Sequence, residues 1–199
     1  MIYRLRDTYY KRAKKEGYRS RAAYKLLELS RRFNPIKPGD RVVDLGAAPG
    51  GWLQVASMLT GPRGMVIGVD LQPIAPLKEK NILLVQGDIT SEDTQTKVKE
   101  LLGCPADCVL SDLSPRLSGI RDADVSRSVE LARTAFTVAS VLLKTGGCFL
   151  AKIFMGDETQ TLVAEAKTRF ASIRCTHPEA TRKGSSEIYL IARGFRKGS

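Results

Sequence analysis

Short apolar runs alternate with helical patterns along most of this chain, and that alternation constrains the fold more than any other feature. The runs at residues 41–47 (RVVDLGA), 65–70 (MVIGVD), 82–88 (ILLVQGD), 108–113 (CVLSDL) and 148–154 (CFLAKIF) have the length of buried strands. Residues 51–59, 90–102, 125–143 and 158–170 between them read as helices. Thr90 or Ser91 is placed to cap the second of these helices, and Gly146-Gly147 to end the third. Residues 172–177 and 186–194 read as closing strands. Such a series implies an α/β fold, with a mostly parallel sheet covered on both faces. At 199 residues the chain fits one domain with an arm. The arm and a helix at residues 19–33, with Ser20 as a possible cap, occupy residues 1–33. Pro35 and Pro38-Gly39 then break the chain, and residues 34–199 form the α/β domain.

Ligands of parallel sheets bind beyond the carboxyl ends of the strands. Asp44 and Gly46, Asp70, Asp88, Asp112 and Lys152 all fall at predicted strand ends. The first strand runs into Gly46-Ala47-Ala48-Pro49-Gly50-Gly51. A dinucleotide turn needs glycine where Ala48 stands, and Pro49 offers no N–H to a pyrophosphate. Asp44 would repel a phosphate, and no GK[ST] follows, so NAD and ATP are disfavoured and with them a dehydrogenase. A carboxylate beside a turn of small residues suits an ammonium group instead. S-adenosylmethionine (AdoMet) carries an amino acid at one end and a nucleoside at the other. Asp44 suits its ammonium, and the helix start after Gly50 suits its carboxylate. Asp70, followed by Leu71, suits the ribose hydroxyls, and Asp88, followed by Ile89, suits the adenine amine.

The fourth strand ends in Leu110-Ser111-Asp112-Leu113-Ser114-Pro115. It has neither the DPPY-type pattern for attack by a base amine nor a cysteine after the proline for a covalent adduct. Lys152 lies inside an otherwise apolar strand, where an unpartnered ammonium would be expensive.

Net charge is +11, of which residues 1–33, with eleven Lys/Arg and three Asp/Glu, carry +8. Tyr3, Tyr9, Tyr10, Tyr18 and Tyr24 interleave with this charge, a mixture suited to a polyanion with stackable bases. No apolar run has the length of a membrane span, and the charged N-terminus has no signal-peptide core; a cytoplasmic location is expected. Cys104, Cys108, Cys148 and Cys175 form no CxxC pair and His177 stands alone, so no metal site is expected. Cys108 and Cys148 read as core thiols. A monomer is expected.

Taken in order, RSRAAYKL, VVDLGAAPGGW, LSDLSP, AKIF and SEIYL resemble the motifs of the RrmJ/FtsJ-type RNA ribose 2′-O-methyltransferases, and the resemblance spans residues 17–194. It implies a Rossmann-like, AdoMet-dependent methyltransferase fold of seven strands with an antiparallel last strand. It also implies a Lys-Asp-Lys-Glu tetrad, which falls here on Lys25, Asp112, Lys152 and Glu187. The family's cofactor contacts fall on Gly50, Trp52, Asp70, Asp88 and Asp112, in a turn that also holds Pro49 and Gly51. In that chemistry Lys152 takes or orients the hydroxyl proton, Asp112 orients Lys152, and Lys25 and Glu187 shape the field.

The implied substrate is a uridine of 23S-type large-subunit rRNA, within an assembled particle or free. A tRNA anticodon loop comes second and an mRNA cap third. A catalytically idle RNA-binding assembly factor is the alternative from another class. Phosphate contacts are expected from Arg4, Arg6, Lys11, Arg12, Lys14, Lys15, Arg19 and Arg21, extended by Arg116, Arg182 and Lys183. Arg116 departs from bacterial members, which carry a neutral residue after the proline.

Overall fold

A computed structural model describes residues 8–181 and 184–198. Its elements are α1 (Thr8–Glu16), α2 (Ala22–Phe33), β1 (Arg41–Leu45), α3 (Gly51–Thr60), β2 (Met65–Asp70), β3 (Ile82–Gln86), α4 (Glu92–Leu102), β4 (Ala106–Ser111), α5 (Arg121–Leu142), β5 (Leu143–Phe154), α6 (Asp157–Arg169), β6 (Phe170–Thr176) and β7 (Glu187–Phe195). The strands form one sheet in the order β3-β2-β1-β4-β5-β7-β6. β1 to β5 run parallel, and β7 lies antiparallel between β5 and β6. The expected seven-stranded, mostly parallel sheet with an antiparallel last strand is therefore present.

Successive side chains on a strand point to opposite faces, so each strand feeds two cores. Val43, Val109, Phe149 and Leu190 pack with Val98 of α4, Val129 of α5 and Leu162 of α6. Val42, Leu110, Leu150 and Ile191 pack with Ala23 and Leu26 of α2 and Leu53 of α3 on the other face. In the first core, Phe136, Phe149 and Phe170 pack against one another at centroid distances of 6.1 to 6.5 Å, and Phe195 extends the cluster from Phe170.

Several local expectations change. α2 begins at Ala22, three residues later than its spacing indicates, and Ser20 is not its cap: Arg21 holds that position without a side-chain hydrogen bond. Thr90 and Ser91 do not cap α4 through a side chain either. Thr90 instead turns its N–H and hydroxyl to Asp88. Gly146-Gly147 does not end α5. The helix passes directly into β5 at Leu143, and the two glycines sit in an irregular stretch of that strand. There Leu143 pairs with Ala106 and Cys148 with Cys108, so residues 144–147 bulge opposite Asp107. The basic arm contains a helix, α1, which lays Ala13 against Tyr24 and Ala180.

Among the described residues no helix is long and apolar enough to cross a membrane. Cys108 and Cys148 are buried, while Cys104 and Cys175 are exposed.

Phe149→Ala removes one buried ring of the aromatic cluster and leaves a cavity. The expected loss is about 3–5 kcal/mol, seen as a lower urea midpoint at unchanged slope.

Candidate active site

The alternation that divides the cores also gathers the site. Asp44 follows Val42 by two residues, Asp112 follows Leu110, Lys152 follows Leu150, and Tyr189 precedes Ile191. All four therefore share the sheet face that α2 and α3 cover. Because β7 runs antiparallel, its first residues meet the last residues of β5: Glu187 pairs with Phe154, and Tyr189 with Lys152. Lys25 comes down from α2 onto the same face, and both it and Lys152 are only 6% exposed.

The result is a continuous chain of polar groups. Lys25 Nζ lies 2.5 Å from Glu187 Oε1. The Tyr189 hydroxyl is 3.0 Å from that oxygen and 2.9 Å from Asp112 Oδ1, and its single proton serves one or the other. Lys152 Nζ lies 3.1 Å from Asp112 Oδ1 and donates to the Asp112 carbonyl at 2.8 Å. Burial opposes ionisation of Glu187, but Lys25, then Lys152 and the Tyr189 hydroxyl, outweigh it and hold the carboxyl below its usual range. Burial, then the charges of Asp112 and Glu187, push the Tyr189 hydroxyl well above its ordinary value, so it remains a donor. The four sequence-derived residues are thus brought together. Tyr189 was missed, although its place two residues after Glu187 on one strand puts it on the same face.

The glycine-rich turn stands beside this chain. Gly46 has φ +78°, and a Cβ there would run into Leu113 Cδ2 at 2.5 Å, so only glycine lets the loop after β4 come so close. Gly50, at φ +108°, turns the chain into α3, whose first N–H groups have no partner within the helix. Pro49, Gly51, Trp52, Asp44 and Asp112 line one small recess there. Trp52 is buried and donates its indole N–H to the Ala22 carbonyl at 2.9 Å. Asp44 is fully buried, and neither of its oxygens has a hydrogen-bond partner among the described residues. Burial, then the charges of Asp112 and Asp70, raise its carboxyl well above the usual range.

Asp70 accepts from Ala48 N at 2.9 Å and from Gln72 N at 2.8 Å, tying the turn to the end of β2. Asp88 is exposed and is held below its usual range by the backbone and hydroxyl of Thr90. Leu71 is exposed beside Asp70, and Ile89 packs partly on the core beside Asp88.

Of the basic residues, Arg4, Arg6, Arg182 and Lys183 lie outside the described residues. Lys11, Lys14, Lys15 and Arg116 are exposed, and Arg21 is half-buried. Arg12 pairs with Glu16 at 2.7 Å. Arg19 has a different engagement. Its guanidinium donates to the carbonyls of Pro49 at 3.2 Å, Ala75 at 2.5 Å and Pro76 at 2.5 Å, and its own N–H goes to Gln54. It joins the turn after β1, which lines the recess, to the loop after β2.

Arg19→Ala frees those carbonyls and loosens the two loops against each other. Hydrogen bonds from a charged donor contribute about 1.5–3 kcal/mol each, and part of that should reach the cofactor. The expected outcome is weaker AdoMet binding, by roughly tenfold (about 1.4 kcal/mol), in calorimetric titration.

A family model described as FtsJ-like methyltransferase matches residues 18–195. The Ribosomal RNA large subunit methyltransferase E of Methanothrix thermoacetophila is 50% identical over 188 residues, covering 94% of this chain and 72% of that protein. The protein of the same name from Archaeoglobus fulgidus is 48% identical over 191 residues, covering 96% and 97%. Among solved structures, one described as a ribosomal RNA methyltransferase from Plasmodium falciparum superposes with a TM-score of 0.80 at 30% identity, covering 89% of this chain and 98% of that one. With the match spanning all but the ends, and with the sheet order and polar chain in place, this protein belongs to the FtsJ-like methyltransferase family.

Proposed function

We propose that this protein transfers a methyl group from AdoMet to a ribose 2′-hydroxyl of RNA, and that its substrate is large-subunit rRNA, at a uridine. The observation that carries the reading is the buried chain Lys25–Glu187–Tyr189–Asp112–Lys152 beside an unpartnered carboxylate, Asp44. The relatives named as large-subunit rRNA methyltransferases support the substrate.

The turn fits AdoMet on its own evidence, because a buried carboxylate without a donor needs a cation. Asp44 would hold the ammonium, the first N–H groups of α3 the carboxylate, Asp70 the ribose hydroxyls, and Asp88 the adenine amine between Leu71 and Ile89. When bound, AdoMet supplies a methyl group on a sulfonium, which is already a good leaving group. The residues of this chain must align the hydroxyl with it and receive the proton, and alignment alone can supply a large part of the acceleration.

Lys152 suits that task geometrically. At rest the Lys152 ammonium is paired with Asp112; to act as base it first releases one proton to solvent, and the amine then has two N–H donors and one lone pair. The Asp112 carbonyl accepts one of its N–H groups and Asp112 Oδ1 stands 3.1 Å away as its ion-pair partner, so Asp112 fixes the nitrogen for the 2′-hydroxyl. With AdoMet bound, which would supply the methyl group, Lys152 would take the proton that the 2′-hydroxyl gives up. Asp112 is the orienter. Tyr189 ties Asp112 to the Lys25–Glu187 pair and keeps both carboxylates in place.

Methyl transfer from labelled AdoMet should be measured on large-subunit particles, free rRNA and tRNA in parallel. Label on a ribose of rRNA or particles, with kcat of Lys152→Ala down by about 10²–10⁴-fold while AdoMet and RNA still bind, is the expected result. Label in tRNA alone would overturn the substrate. Near-normal turnover by Lys152→Ala would overturn its role as base, and binding without transfer to any of the three would favour an idle assembly factor.

Asp44 also sets a pH dependence. Its carboxyl titrates high in the free protein, and an ammonium partner lowers it in the complex. Between those two values binding expels a proton, so AdoMet affinity should rise with pH across that window and level off above it. Titrations in buffers of different ionisation enthalpy should show this proton release. Asp44→Asn should abolish it and weaken binding.

A further inference from the structure

A cleft of about 500 Å³ opens beside the tetrad, between α1, α2 and the loop after β6. That lies within the roughly 300–1,000 Å³ of small-ligand pockets. We propose that it is a second RNA subsite, which holds one nucleotide next to the methylated one. The proposal rests on the RNA methyltransferase reading and adds a place for the substrate that the tetrad and the turn do not provide.

The cleft is coupled to the active site through two of its walls. His177 lines it, and His177 Nδ1 is 2.7 Å from the carbonyl of Glu187, the glutamate of the tetrad. Tyr24 lines it from α2 and immediately precedes Lys25. Tyr24, Leu27, Glu28 and Arg31 form one helical stripe along α2, adjacent to the line on which Lys25 sits. The cleft thus adjoins the Lys25–Glu187 end of the tetrad, where it can take a nucleotide neighbouring the one at Lys152.

The lining has the parts that a nucleotide needs. Tyr9 is 36% exposed, and its ring is braced by that of Tyr24, with centroids 5.5 Å apart. An exposed tyrosine face on a basic surface is a stacking platform for any base. Arg31 is exposed and has no hydrogen-bond or ion-pair partner among the described residues, so it is available to a phosphate. Arg12 and Arg32 stand on either side, steadied by Glu16 and by Glu28 with Thr176. Glu179 is exposed, likewise without a partner among the described residues, and can accept from a base amine. A lining of cations alone would suit any polyanion. An aromatic side chain with an arginine and a carboxylate that have no partner among the described residues, all in one cleft, suits base and phosphate together.

The test is equilibrium binding of a large-subunit rRNA transcript over a range of salt, with AdoMet affinity measured alongside. Tyr9→Ala should weaken RNA binding about tenfold with an unchanged salt slope, because stacking is lost and no charge is removed. Arg31→Ala should weaken it and reduce the salt slope by about one. Arg31→Glu should weaken it further; the residue is exposed, so folding is not at issue. AdoMet affinity should not move, and Lys97→Ala, an exposed lysine on α4, should leave RNA binding as it was. A transcript carrying 4-thiouridine should photo-crosslink to peptides containing Tyr9 or His177. Wild-type RNA affinity in Tyr9→Ala and both Arg31 variants, or crosslinks confined to other surfaces, would overturn the subsite. If the variants lose RNA affinity but the wild type methylates no RNA, the subsite stands and the catalytic reading fails.

Discussion

The arrangement of this site depends on two buried lysines being neutralised by two carboxylates, one just past the end of β4 and one at the start of β7. Lys25 and Lys152 are almost inaccessible to solvent, and an uncompensated ammonium in that position would cost several kcal/mol. Glu187 answers the first and Asp112 the second, and the Tyr189 hydroxyl closes the gap between the two pairs. No adjacent pair of parallel strands could deliver this set. Glu187 reaches the catalytic edge because β7 runs backwards between β5 and β6, so that the start of one strand meets the end of another. The antiparallel strand is thus part of the site's chemistry as well as of the sheet.

Asp44 sits a few residues from this balanced network and is not balanced. It is fully buried and shares its surroundings with two further acids, Asp70 and Asp112. Asp70 spends both oxygens on backbone N–H groups, and Asp112 is engaged by Lys152 and Tyr189. Asp44 alone has nothing to accept from among the described residues. A fold tolerates such a group when a ligand completes it, and the sign of the missing charge is positive. The same deficit explains why a glycine-rich turn here need not bind phosphate.

Most of this was legible in the sequence because the relevant signals have short periods. Strand runs of six to nine residues, acids at their ends and a lysine within AKIF are local patterns. The tetrad needed the family resemblance as well, since Lys25 and Glu187 are separated by 162 positions. What the sequence hid was of another kind. Gly146-Gly147 has the composition of a helix stop, but a bulge in a strand asks for the same residues. α1 shows only Ala13 to the core, too weak a stripe to stand out from a basic arm. Tyr189 lay in view within SEIYL, yet a tyrosine in a strand is ordinarily core, and only the sheet register places its hydroxyl between two carboxylates.

Arg19 shows the limit of reading charge as function. In a basic block every arginine looks like a phosphate ligand, and composition offers no way to separate them. The fold does separate them. Arg12 leans on Glu16, Arg31 stands free at the cleft among the described residues, and Arg19 turns inward to three carbonyls of the cofactor loops. Ser20, the next residue, packs so close to Gly51 that a Cβ there would collide with its hydroxyl. Trp52 in turn donates to Ala22. Residues 19 to 25 therefore form one short connection: a clamp on the cofactor turn at one end and a tetrad lysine at the other. On the proposed reading, RNA engaging α1 and α2 would bear on the same few residues that hold the turn after β1, all within seven positions of one another.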